Sequence, residues 1–169
     1  MQSSQSRMID QMNLMIIKTI SLYICLRNYI QKNLKYLILF SITTVVFFSI
    51  DLIWLGVIAK NLYREKLGFI LSSEVNWTAA IVFYLIYIAG ILYFAVVPAL
   101  NANDWQMALL NGAILGFLCY ATYDLTNMAT ISRWPLQIVI IDIAWGTILT
   151  GSVSLVSFLA ASKFLNWGN

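Results

Sequence analysis

WTAAIVFYLIYIAGILYFAVVPAL, residues 77–100, runs for twenty-four residues without a charge. A helix needs about 20 mostly apolar residues to cross the hydrocarbon core of a bilayer, so this stretch is long enough to span one. A β-barrel strand would be shorter and would alternate apolar with polar residues, which this segment does not do. The segment therefore reads as a transmembrane helix. Outward from it, three further stretches have the same character: about 36–58, 106–128 and 136–159. Together they predict an all-α integral membrane protein, a four-helix bundle with an N-terminal extension. Trp77, Trp105 and Trp134 stand at or just before segment starts, where amphipathic rings favour the membrane–water interface.

Composition points the same way. Of 169 residues, 61% are hydrophobic, 14% aromatic and 10% charged, against roughly 25% charged in soluble domains. Histidine is absent, which removes His-based triads and imidazole ligation of haem or iron. The two cysteines, Cys25 and Cys119, form no metal motif or disulfide framework, and no cofactor is implied. Net charge is +3, but three of the seven acids lie inside apolar stretches, so the periphery is more basic than that number suggests. Such a periphery suits anionic lipid headgroups, and the bilayer is the expected partner. No basic run interleaved with aromatics marks a nucleic-acid surface.

Residues 1–34 form a separate extension, 35–162 the four-span domain and 163–169 a short tail. Met12–Leu26 is apolar but short and carries Lys18, which favours an interfacial helix over a fifth span. The cluster Met8, Met12 and Met15 also fits a later translation start. Lys and Arg near the two membrane faces balance at four each, and the leader's Arg7 and Lys18 tip the count toward a cytoplasmic N-terminus.

The three intramembrane acids carry most of the functional information. An acid at a helix centre costs ~2.5–3.5 kcal/mol on insertion scales, so Asp51, Asp124 and Asp142 are expected to face the bundle interior. Asp51 and Asp124 lie near the ends of spans one and three, and Asp142 near the start of span four. Alternating topology puts all three in one half of the bilayer. Lys60, Arg64, Lys66 and Arg133 decorate that same face and suit headgroups. Helical spacing gives each acid its company: Trp54 and Thr44 share a stripe with Asp51, and Trp145 and Gly146 follow Asp142. Tyr120, Tyr123 and Asn127 share a face that has Asp124 at its edge. Gly112 and Gly116 make a G-x-x-x-G, whose ordinary use is close helix packing. Tyr84, Tyr87 and Tyr93 read as packing or interfacial residues.

Several of these motifs resemble a known family. DLIWLGVIAKNLYREKLGF (51–69), FYLIYIAGILYFAVVPAL (83–100), YATYDLTNMAT (120–130), WPL (134–136) and DIAWGTILTG (142–151) are similar to the bacterial membrane-protein family catalogued as domain-of-unknown-function family 2177. The likeness covers about residues 35–160 and includes every intramembrane acid. It implies four spans in a bacterial inner membrane, and it implies that members begin near the position of Lys35. It brings no activity, so function has to come from the residues.

Three readings compete. A carboxylate-lined site suits binding or transport of a proton, a cation or a small cationic molecule, and a homodimer would supply helices that one chain lacks for alternating access. A membrane-embedded enzyme acting on lipid or quinone would use paired Asp as acid and base, but the chain shows no nucleophile–base pair and no Asp-rich metal motif. A structural or assembly partner of another membrane protein would use the acids only as interhelical glue.

Overall fold

The computed structural model describes residues 2–70, 74–165 and 167. Four helices among these residues are long and apolar enough to cross a membrane: Met12–Val57, Trp77–Ala102, Trp105–Thr130 and Leu136–Phe164. No strand occurs among the described residues. The protein is an all-α membrane protein.

The chain divides into two compact units, one ending at Ile38 and one beginning at Leu39. Helix α1, Gln2–Ile53, contributes to both. The extension expected over residues 1–34 is thus helical from Gln2, in one helix with the first span. The cause is in the sequence, since no Gly or Pro precedes Gly56 and the interrupting polar residues are tolerant helix formers. Every described side chain from Met12 to Leu34 is exposed.

Within the second unit, α1 passes into a π-turn at Trp54–Ile58. A short helix follows, α2 (Lys60–Leu67), whose last turn carries Arg64 and Lys66. The second span is α3 (Trp77–Ile91), a π-turn at Leu92–Val96 and α4 (Val97–Ala102). Asn76 caps its start, the side chain accepting from the Ala79 N–H at 3.1 Å. Pro98 lacks the N–H that would serve the Phe94 carbonyl four residues earlier. Asn111 of the third span supplies a donor instead, its Nδ2 lying 3.3 Å from that oxygen. A freed carbonyl in a bilayer has to be met by a neighbouring helix, and here it is.

Helices α5 (Trp105–Thr130) and α6 (Leu136–Phe164) make the most extensive helix pair. Asp104 caps α5, accepting from the Gln106 and Met107 N–H groups. Between lipid-embedded helices the hydrophobic effect is spent, so close backbone approach and side-chain packing hold the pair. A Cβ on Gly112 would meet Ser154 and the Thr150 carbonyl, and one on Gly116 would strike the Gly146 carbonyl. A Cβ on Gly146 would strike the ring of Tyr120, which lies directly over that glycine. The core lies between this pair and the other spans. It includes Leu39 and Phe47 of α1, Ile88 and Ile91 of α3, and Leu149 and Val153 of α6.

A second, smaller cluster closes one end. Leu67 of α2 packs with Trp134, Ile138 and Val139, and Leu62 and Tyr63 lean on the same group. The first loop and the third loop therefore meet at one end of the bundle. Trp134 departs from its expected place at the interface. It is 8% exposed, whereas Trp77 and Trp105 are 71% and 50% exposed. The amphipathic α2 covers it, presenting Leu62, Tyr63 and Leu67 inward while Lys60 and Arg64 face out.

Candidate functional site

All three acids are buried, Asp51 at 5%, Asp124 at 0% and Asp142 at 7% exposure. Their surroundings differ. Among the described residues, Asp51 is the only carboxylate lining a cavity of about 200 Å³ at the α2 end of the bundle. The Tyr84 hydroxyl donates to its Oδ2 at 3.3 Å, and the Trp145 indole lies beside it. Seven of the nine residues lining the cavity are aromatic. Phe47 and Trp54 come from the first span, Phe83 and Tyr84 from the second, Tyr120 from the third and Trp145 from the fourth. Tyr63 and Leu55 complete the wall.

The ring arrangement is ordered. Trp54 and Trp145 stack at 4.2 Å between centroids and 8° between planes. Each of these tryptophans stands three residues after a buried acid, Trp54 after Asp51 and Trp145 after Asp142. The π-turn beginning at Trp54 sets the helix register at this point, and such turns recur where a helix has to aim a side chain. Phe47 meets Tyr84 and Tyr87 edge-on, each at 5.8 Å. Tyr87 is held in turn by Thr150, with 2.7 Å between the two hydroxyl oxygens.

Asp142 does not line the cavity but is tied to it through Tyr63, whose hydroxyl donates to Asp142 Oδ1. The Trp54 indole N–H donates to the same Tyr63 oxygen at 3.4 Å. Tyr63 stands on α2, outside the spans. Burial, and then the bond to the Asp142 carboxylate, push its phenol above the ordinary tyrosine value. Asp124 is within electrostatic reach of Asp142. Among the described residues, neither of its oxygens has a hydrogen-bond partner, and the buried Trp134 indole N–H has none either. The acids are therefore set in three environments: one on a cavity, one bonded to the cavity wall, and one buried without a partner.

Other residues singled out from the sequence are placed as follows. The Thr44 hydroxyl donates to the Phe40 carbonyl of its own helix at 2.8 Å, so it does not reach Asp51. Thr43, not Thr44, is the fully buried threonine of that pair. Tyr123 is 60% exposed and rests edge-on against Trp134 at 6.0 Å, away from the buried stripe that holds Ala121 and Asp124. Asn127 is half-buried on the same helix. Lys60, Arg64 and Arg133 are exposed, and Lys66 pairs with its neighbour Glu65 at 3.0 Å. Arg133 has φ 68°, a left-handed backbone in the turn that delivers Trp134 into its buried place. Among the described residues, no three His, Cys, Asp or Glu side chains gather as a metal site.

Sequence reasoning missed Tyr63, Phe47 and Phe83 as wall residues and gave Tyr84 only a packing role. A signal existed for Phe47, which is one helical turn before Asp51, and for Tyr63, an aromatic flanked by Leu62 in a loop otherwise rich in charge.

The chain belongs to the family described as predicted membrane protein (DUF2177), which matches residues 36–159. No curated protein and no solved structure matches it.

Proposed function

We propose that this member of the family binds a small monovalent organic cation in the cavity at Asp51, within a bacterial inner membrane. The observation that carries the reading is the cavity wall: one buried carboxylate among seven aromatic rings, with no Lys or Arg among the described residues that line it. The negative faces of aromatic rings attract a cation, by ~2 kcal/mol or more per contact when water is excluded. Asp51 supplies the opposite charge, and Tyr84 holds the carboxylate in place. Divalent cations fit less well, because they want six or more oxygen ligands, or rigid octahedral oxygens, and the wall is mostly carbon. A bare proton would need no enclosure of rings. The bacterial inner membrane rests on the resemblance of the motifs.

A quenching titration tests the reading. 1-Methylpyridinium quenches indole fluorescence, and Trp54 and Trp145 form part of the wall. Saturable quenching is expected with the purified protein in lipid nanodiscs. Asp51→Asn keeps the shape and loses the charge, so it should weaken binding about ten-fold or more, equivalent to about 1.4 kcal/mol. Equal affinity in wild type and Asp51→Asn, with both proteins folded, would remove the carboxylate from the reading. Unsaturable quenching in both would remove the site.

A further inference from the structure

A second, larger concavity of about 780 Å³ lies between α3 and α5. Ile86 and Tyr87 form one side, and Leu118, Cys119 and Thr122 the other. Phe83 and Tyr120 line it too, and these same two residues line the Asp51 cavity. The groove and the aromatic cavity therefore share a wall, made of one ring from each of two spans. Ile86 and Leu118 are exposed, at 68% and 54%, within segments that cross the membrane, so the groove opens to hydrocarbon. Almost all of its lining is apolar, whereas the cavity on the other side of Phe83 and Tyr120 carries Asp51.

We infer that the ligand is an amphiphilic amine that enters from the bilayer, with its cationic head in the Asp51 cavity and its alkyl tail in the groove between α3 and α5. The inference rests on the cation reading above and extends it to a substrate class. Three features favour a tail as the occupant of the groove. The groove adjoins the charged cavity across the rings of Phe83 and Tyr120, it sits at the depth of the lipid chains, and its lining offers almost nothing to a polar group. A tail leaving lipid for this groove gains little free energy, because hydrocarbon and an apolar protein wall are alike as solvents. Head contacts thus set affinity, and the tail determines which molecules fit and from which side they come.

Cys119 is half-buried in the groove and reports on its occupancy, while Cys25, outside it, serves as the internal reference. The full chain in nanodiscs is treated with N-ethylmaleimide, and the labelling rate of each thiol is followed by peptide mass spectrometry. 1-Octylpyridinium at saturation should slow Cys119 labelling several-fold and leave Cys25 unchanged. 1-Methylpyridinium should quench the tryptophans without slowing Cys119. Protection by the octyl compound should be lost in Asp51→Asn.

The outcomes separate the two claims. If both cations bind in an Asp51-dependent way and Cys119 reacts at its free rate, the tail assignment is wrong and the cation reading stands. If neither shows Asp51-dependent binding, the cation reading fails as well. Protection that persists in Asp51→Asn would divorce groove from cavity and overturn the inference. Cys119 labelling that is slow without added cation and quickens as protein is diluted in lipid would assign the groove to a second copy of the chain, also against the inference.

Discussion

Replacing Gly146 by alanine should destabilise the protein through a single contact. The added methyl has nowhere to go except into the ring of Tyr120, with three ring carbons inside van der Waals range. Tyr120 cannot simply yield, because it also forms part of the wall between the cavity and the groove. Overpacking of this kind costs about 1–3 kcal/mol. Gly90→Ala provides the control, because nothing lies within 4 Å of a Cβ there. That change should be neutral or gain up to ~1 kcal/mol from helix propensity. Unfolding in mixed micelles, followed by circular dichroism, measures both. A double-mutant cycle then isolates the contact: in a Tyr120→Ala background, the Gly146→Ala penalty should shrink by roughly 1 kcal/mol or more. Penalties that agree within about 0.5 kcal/mol in the two backgrounds would mean that the sites are independent, and the account of the close approach would be refuted.

Two further predictions concern polar groups. The Tyr63 phenol has a raised pKa in the folded state, so the folded protein holds that proton more tightly than the unfolded chain does. The resulting stability is complete below the ordinary tyrosine value of about 10 and is lost as pH rises above it. Tyr63→Phe should make the alkaline fall in stability shallower, and an unchanged profile would contradict the assignment. The second prediction compares acids. Asp142→Ala leaves the half-buried Tyr63 O–H without its acceptor and should cost about 1 kcal/mol, whereas Asp124→Ala breaks no formed hydrogen bond and should cost less. Unfolding measurements that rank Asp124→Ala as the more damaging would show that Asp124 has a partner in the membrane.

The spans were legible because lipid imposes a strong demand: a long charge-free run such as 77–100 has few other readings. The start of the first helix was less so. Polarity breaks the hydropathy pattern near Arg27 and Lys32 but does not break a helix, which ends only where glycine, proline or packing makes it end. The acids were legible as inward-facing from their cost in lipid. Their division into three environments was not, because it depends on α2 folding over the end of the bundle. In sequence, Lys60–Leu67 shows mainly its charges, and the inward Leu62, Tyr63 and Leu67 are too few to announce a helix with an apolar side. Trp134 was misplaced for the same reason, since a tryptophan at the start of a span looks interfacial until something covers it.

The contact between α5 and α6 also has a mechanical meaning. Where Gly112 and Gly116 bring backbone against backbone and side chain, there is no compressible layer of long side chains, so the two helices behave as a single stiff plate. The opposite walls of the cavity, on α1 and α3, meet each other through larger aromatic side chains, Phe47 edge-on to Tyr84 and Tyr87. The compliance of the bundle is therefore concentrated on the α1–α3 side.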